Sequence, residues 1–251
     1  MSHHPVIRVA DLAFSYPDGT TALDGFSLEV HDGERVAVLG PNGAGKTTFA
    51  LHLNGLHRAE RGAVAVDGLE LSDATLGEIR RRVGHVFQDP DDQLFMPTVA
   101  EDVGFGPANL GVTGHDLEHR VEAALAAVGM TGAAARAPHH LSGGERRRVA
   151  VATVLSMEPS ILVLDEPTSN LDPASRRELV DVLQSLDQAQ LVITHDLPFA
   201  LELCERAVIV SGGRVVADGA TAELLLDTEL LHANRLELPF GFDPSSVHVG
   251  S

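Results

Sequence analysis

Lysine is almost missing from this chain: of its 18 basic residues, 17 are arginine and one is Lys46. Cysteine is as scarce, and the single Cys204 excludes an intrachain disulfide. It is expected to be a small buried residue, consistent with a reducing compartment. Positive charge is short overall, with 36 acidic residues against 18 basic ones and a formal net charge of −18. That balance argues against a sequence-independent nucleic-acid binder, which needs a basic face. It also disfavours direct adsorption to an anionic membrane. Long apolar runs are absent: nothing approaches the roughly 18 uninterrupted residues of a membrane span. The start, Met1-Ser2-His3-His4-Pro5, has neither the basic residues nor the apolar run of a leader, so a soluble chain is expected. If it serves a membrane, another chain supplies the pore.

What is present is ample for a folded core: 251 residues with 44% apolar content suit one α/β domain or a core with a small lobe. Residues 6–16 read as a strand with Leu12, Phe14 and Tyr16 on one face, and 26–30 as a second strand closed by the turn His31-Asp32-Gly33. Residues 35–39 form a nearly continuous apolar strand that runs into Gly40-Pro41-Asn42-Gly43-Ala44-Gly45-Lys46-Thr47-Thr48. This is the G-x-x-x-x-G-K-[ST] pattern of a nucleotide-phosphate cradle, and residues 46–56 read as the helix that should follow it. Glycines let the backbone approach phosphates, while the helix N-terminus offers unpaired N–H groups and partial positive charge. Lys46 would reach the β- and γ-phosphates of ATP and Thr47 would ligate Mg2+. Screening over about 8 Å at physiological salt leaves the local cradle, not the net charge, to decide.

Further strands are expected at 62–67 and 83–88, separated by a basic helical turn around Arg80-Arg81-Arg82. From residue 89 to about 156 the β signal gives way to helical segments at 99–105, 115–128 and 143–156, which suggests an inserted helical lobe. Alternation then resumes with strands at 161–165, 191–194, 207–210 and 214–217 and helices at 173–186, 198–204 and 221–226. From about Thr228 periodicity is weak, and Pro239, Gly241, Pro244 and Ser245-Ser246 predict a partly irregular tail. No internal repeat is visible, so one nucleotide-binding unit is expected. No His/Cys/Asp spacing makes a convincing metal cluster.

Leu141-Ser142-Gly143-Gly144-Glu145 has capping-box spacing, Ser142 to Glu145, at the start of an apolar helix. A helix cap and an anion site can be the same place. Placed before Ile161-Leu162-Val163-Leu164-Asp165-Glu166-Pro167, it resembles the signature of ATP-binding-cassette (ABC) ATPases. That resemblance implies a P-loop NTPase core of RecA-like α/β type with an antiparallel β subdomain and an inserted helical subdomain. It covers nearly all of 6–240, and implies one ABC ATPase domain over 1–240, with helices over about 89–156 and a tail over 241–251. It further implies a dimer of cassettes, with a second ABC ATPase subunit, identical or paralogous, whose signature closes this chain's ATP site.

The same resemblance gives roles in chain order. Asp165 orients the Mg2+ shell and Glu166 polarises the attacking water, as carboxylates at a strand end can. Gln88 is the Q-loop glutamine that senses Mg2+ or water, Asp172 belongs to the D-loop Ser169-Asn170-Leu171-Asp172, and His195 is the switch histidine at the γ-phosphate. Asp172 before Pro173 is also a well-formed helix start. Tyr16 either stacks on adenine or packs on Phe14. Residues 146–148, three arginines, are expected on a solvated or inter-subunit face.

The run from Val86 through Gln88-Asp89-Pro90-Asp91-Asp92-Gln93-Leu94-Phe95 to Gly106-Pro107 resembles energy-coupling-factor ATPases, as does Leu236-Glu237-Leu238-Pro239-Phe240-Gly241. That subgroup powers uptake of cobalt, nickel or vitamins. It implies a transmembrane coupling subunit, a substrate-binding membrane component, no nucleic acid, and a place at the cytoplasmic face of the membrane. Gln93-Leu94-Phe95 is expected to receive a coupling helix. A soluble ABC ATPase of iron-sulfur cluster assembly is the alternative of similar length.

Overall fold

Alternating burial sets the first strands. In the computed structural model, which describes residues 5–246, strand β1 (Pro5–Ser15) buries Ile7 and Val9 and exposes Arg8 and Ala10. A bulge at Asp11, whose φ is +50°, breaks that period and turns Leu12 inward. Residues 1–4 and the predicted tail end, 247–251, lie outside the described residues. The chain forms two units: one holds the residues up to Val83, Ser160–Asp165 and everything from Asp187 on, the other Gly84–Pro159 and Glu166–Leu186.

In the first unit, β1 is followed by β2 (Thr21–His31), β3 (Arg35–Leu39), α1 (Lys46–Leu53), β4 (Arg61–Val66), β5 (Leu69–Glu70) and α2 (Leu76–Arg82). An antiparallel sheet runs in the order β2-β1-β4-β5. The chain leaves this unit along β6 (Val83–Val86) and returns as β7 (Ile161–Asp165). Later elements of this unit are β8 (Ala189–Ile193), α7 (Leu197–Leu203), β9 (Arg206–Ser211), β10 (Arg214–Ala220), α8 (Thr221–Leu226) and α9 (Thr228–Ala233). A second sheet places β10, β9, β3, β8 and β7 side by side, with β3 parallel to both β8 and β9 and β10 antiparallel to β9. Strands covered on both faces read as continuous apolar runs, as β3 and β7 do, while β8 is equally buried but carries Gln190. The core packs Val36 and Val38 of β3 with Phe26 of β2 and Phe49 of α1. The Phe26 and Phe49 rings stack 4.2 Å apart, which adds about 0.5–1.5 kcal/mol beyond their area. Cys204 is fully buried as expected, and burial pushes its thiol well above the usual range.

In the second unit, α3 (Val99–Asn109), α4 (His115–Ala127), α5 (Gly143–Leu155) and α6 (Pro173–Gln184) form a helical body. Thr98 caps α3 by accepting from the Glu101 N–H. Asp102 is buried on α3 and accepts the N–H groups of Phe95 and Met96, which shapes the turn before the helix. Ser156 closes α5 against α3 by donating to the Val103 carbonyl at 2.7 Å.

The boundaries differ from the sequence reading in both directions: β2 begins at Thr21 and α3 continues to Asn109 with Pro107 inside it, whereas α1 ends at Leu53 and β6 at Val86. The weakly periodic tail contains one ordered turn pair, α9, capped by Asp227 accepting from the Leu230 N–H at 2.9 Å. Its buried Leu231 and the nearby Leu236 supply packing that six residues of pattern do not announce.

His85 on β6 stacks on Phe87 at 5.0 Å, and its Nδ1 is buried without a hydrogen-bond partner among the described residues. Burial pushes its imidazole from the ordinary 6.5 down to about 4. The unfolded chain then binds the proton more readily than the folded one, so this contribution is complete above about pH 6.5 and is lost as the pH falls toward 4. Urea midpoints measured from pH 7 to 4 should fall more steeply for the wild type than for His85→Phe. Parallel slopes would contradict the assignment.

Candidate nucleotide site

The cradle is built where β3 ends. Its strand is buried through Leu39, and residues 40–45 turn the chain into α1 through positive φ angles at Gly40, Gly43 and Gly45. Two of these glycines are required by space: a Cβ at Gly40 would lie 2.3 Å from the Val210 carbonyl oxygen, and one at Gly45 would lie 2.4 Å from that of Ala22. Gly43 faces open space, and Asn42, Gly43 and Thr47 are exposed while Ala44, Lys46 and Thr48 are buried. Lys46 is 7% exposed and its Nζ donates to the carbonyls of Gly40 at 2.7 Å and Pro41 at 3.0 Å. The ammonium is thus stored at the rim of its own loop, with its carbonyl partners on the turn that glycine permits.

The first unit brings a carboxylate to this loop. Asp165, at the end of β7, is buried, and its Oδ2 accepts from the Thr47 hydroxyl at 3.0 Å. A hydroxyl and a carboxylate side by side are hard oxygen donors of the kind Mg2+ accepts, so these residues fit that ion. Tyr16 also reaches the cradle: its hydroxyl lies 2.8 Å from Thr48 Oγ1, and its ring meets Phe14 edge-on at 5.2 Å. His57 stacks on Phe14 at 4.7 Å and meets Tyr16 edge-on at 5.8 Å. The half-buried tyrosine therefore has the packing on Phe14 that its strand position suggested, together with a polar tie to the loop. His195 stands exposed just beyond β8, in the first unit with the cradle.

Gln88, Ser142, Gly143, Gly144, Glu166 and Asp172 belong to the second unit. Ser142 makes both arms of the capping box, accepting from the Glu145 N–H at 3.2 Å while Glu145 accepts the Ser142 N–H at 2.7 Å. Hydrogen bonds from Ser142 and the Arg136 guanidinium hold the Glu145 carboxyl below its usual range. Gly143 is exposed with nothing near its missing Cβ, whereas a Cβ at Gly144 would lie 2.4 Å from Ser175 Oγ on α6. Asp172 caps α6: one oxygen accepts the Ala174 and Ser175 N–H groups and the other accepts the Ser175 hydroxyl at 2.7 Å. Those bonds depress its pKa. Glu166 is 8% exposed and sits at φ +44°, a conformation that an L-residue occupies at a cost.

Two expectations about the second unit are corrected. Arg147 is not on a solvated face: it is 2% exposed and donates from Nη1 to the Phe87 carbonyl at 2.8 Å and from Nη2 to the Gln88 carbonyl at 2.7 Å. Position i+3 from Gly144 and i−4 from Val151 puts it within the buried stripe of α5, a spacing that could have revealed it. Its neighbours Arg146 and Arg148 instead pair with Asp91 and Glu178. Leu94 is not available to a partner, being 8% exposed. Gln93 is turned inward as well, donating to the Ala150 carbonyl and Thr153 hydroxyl. The exposed apolar groups of this unit include Phe95 at 62% and Phe105 at 41%, with rings edge-on at 5.1 Å.

A glycine loop between a buried parallel strand and a helix, with a carboxylate delivered from the end of β7, defines a P-loop ATPase fold. The ABC transporter family model matches residues 23–169. A Streptomyces avermitilis protein, provisionally named an ABC transporter ATP-binding protein, is 64% identical over 98% of this chain and 94% of its own length. The energy-coupling factor transporter ATP-binding protein EcfA of Methanothermobacter thermautotrophicus is 48% identical over 93% of this chain and 77% of its own. The solved structure of cbiO1 from Clostridium perfringens, part of the ABC transporter complex cbiONQ, matches with a TM-score of 0.83 at 35% identity, over 94% of this chain and 96% of that one. The chain belongs to the ABC transporter family, as an ATP-binding and ATP-hydrolysing subunit.

The contrast between Gly143 and Gly144 is testable. Gly144→Ala should destabilise the fold by about 1–3 kcal/mol, because Ser175 must move. Gly143→Ala should shift stability by less than about 1 kcal/mol, since its Cβ meets nothing, yet should lower ATP turnover. Urea unfolding and steady-state hydrolysis on the same preparations separate the two effects.

Proposed function

We propose that this chain is the ATPase subunit of an energy-coupling-factor type importer that takes up a transition-metal ion, cobalt or nickel, or a vitamin. The observation that carries this reading is the exposed Phe95–Phe105 pair, in a segment whose sequence resembles that subgroup. Two large aromatic rings left in water on a polypeptide of net charge −18 suit a partner that covers them. The resemblance to EcfA and to cbiO1 of the cbiONQ complex supports a membrane partner of the same kind. No helix among the described residues is long and apolar enough to cross a membrane. On this reading the cassette works peripherally, at the cytoplasmic face, with a transmembrane coupling subunit and a substrate-binding membrane component.

The assigned roles follow from chemistry. Gly40, Pro41, Asn42, Gly43, Ala44 and Gly45 wrap the phosphates with backbone N–H groups, and Lys46 moves its amine from the loop carbonyls to the β- and γ-oxygens. Thr47 and Asp165 would hold Mg2+, and the Gln88 amide oxygen is a donor of the kind that ion or its water would take. When bound, that ion offsets phosphate charge. Thr48 anchors Tyr16, whose ring offers a face to adenine. Glu166 orients and polarises the attacking water, and His195 donates to the γ-phosphate. Ser142, Gly143 and Gly144 offer the N-terminus of α5 to the ATP held by a second cassette, and Asp172 stands beside them through Ser175. Two cassettes binding ATP head to tail would close on it, hydrolyse it and reopen, and the segment from Gln88 to Pro107 would pass that movement to the membrane subunit.

Two experiments test this reading. Glu166→Gln should bind ATP as tightly as the wild type while turnover falls by about 100-fold or more, the usual scale of a lost general base. Unchanged hydrolysis would remove Glu166 from its role. For the partner, a membrane pull-down with the wild type should recover integral membrane subunits, and Phe95→Glu with Phe105→Glu should lose them while keeping ATP binding. Recovery of a soluble iron-sulfur scaffold instead would favour the other branch.

A further inference from the structure

The roles above leave one buried cation unexplained. Arg147, near the start of α5, is 2% exposed, and its fork spans the carbonyls of two successive residues, Phe87 and Gln88. Gln93 grips the same stretch from another direction. Its Oε1 accepts the Phe87 N–H at 3.2 Å, while its Nε2 donates to the Ala150 carbonyl at 2.8 Å and to Thr153 Oγ1 at 2.6 Å, both on α5. Three backbone groups at residues 87 and 88 are therefore fastened to α5, directly or through Gln93. The Gln88 side chain itself remains exposed.

This arrangement is not the cheapest way to fill the space. Arg147 Nε is buried without a hydrogen-bond partner among the described residues, and burial lowers its pKa, with Asp89 as the opposing nearby charge. Apolar replacements of buried ionic groups are often neutral or stabilising, so a retained guanidinium with one unsatisfied donor points to what its fork holds. A lysine is not equivalent here: it lacks the preorganised planar fork, and its more strongly hydrated ammonium costs more to bury.

We propose that Arg147 is a positioning residue that makes the Gln88 backbone move as one body with α5, and so ties the glutamine of one ATP site to the signature Ser142-Gly143-Gly144 offered to the other. The inference rests on the ATPase roles given above to Gln88 and the signature. Arg147 touches neither nucleotide nor water in this scheme; it acts through Gln88. Because Gln93 holds the adjacent peptide N–H of Phe87, the two side chains form a clamp with two jaws.

The test is a double-mutant cycle on ATP hydrolysis by the full chain, with kcat and KM measured and active sites counted by ATP binding. Arg147→Lys should lower kcat about tenfold, the scale of a lost charged hydrogen bond, with KM for ATP changed less than about twofold. In a Gln88→Ala background the same substitution should cost less than about twofold, because the residue it positions is gone. Gln93→Met opens the other jaw and should give a smaller loss, about threefold, that also vanishes with Gln88→Ala; it carries the test if Arg147→Lys does not fold. Wild-type kcat in both single variants, or losses that multiply in the Gln88→Ala background as a purely structural defect would, overturn the proposal. Failure of the underlying reading looks different: Glu166→Gln, assayed alongside, would then hydrolyse ATP normally, whereas failure of the proposal alone leaves Glu166→Gln inactive.

Discussion

Close backbone approach governs the first unit. The Val210 and Ala22 carbonyls occupy the space that side chains at Gly40 and Gly45 would need, so strands of both sheets press directly on the phosphate loop. Backbone hydrogen bonds continue the contact: Gly213 donates to the Ala44 carbonyl and Asp24 donates to that of Gly213, each at 3.1 Å. The loop is held by contacts with its own scaffold on both sides. The same crowding explains why Lys46 can rest with its amine on the Gly40 and Pro41 carbonyls: the turn that removes side chains also turns those oxygens toward it.

The second unit solves a different problem around α5, a helix asked to be exposed at one end and buried along its length. Ser142 and Glu145 satisfy its first N–H groups reciprocally, Gly144 lets α6 approach, and Val149, Ala150, Val151 and Val154 fill its inner stripe. Only Ser142 and Gly143 are left open to solvent at its start. A helix so anchored keeps its N-terminal dipole aimed in a fixed direction.

Much of this was legible because the informative residues are close in sequence. The phosphate loop, the Ser142 capping box and the Asp172-Pro173 helix start are each contained within nine residues, and each has one local geometry. The buried strands β3 and β7 could be read from apolar runs alone. β5, two residues paired with β4 across the turn Asp67-Gly68, is too short to show a period. Features made by distant partners could not be read either: Leu94 reads as exposed until its burial in the folded lobe is seen. Arg147 sits among three arginines that look like a solvated face, since its carbonyl partners are 60 and 59 residues away. The helical period held the clue, but charge outweighed it. Tyr16 shows the reverse case, where its strand face correctly suggested contact with Phe14 but gave no sign of the Thr48 bond.

The scarcity of lysine has one more consequence now that Lys46 is seen to be 7% exposed and held by two carbonyls. A protease that cuts only after lysine has a single target in all 251 residues, and the folded chain keeps that target inside the start of α1. Cleavage there demands that the loop unravel, so the chain carries its own built-in gauge of how often its phosphate cradle opens.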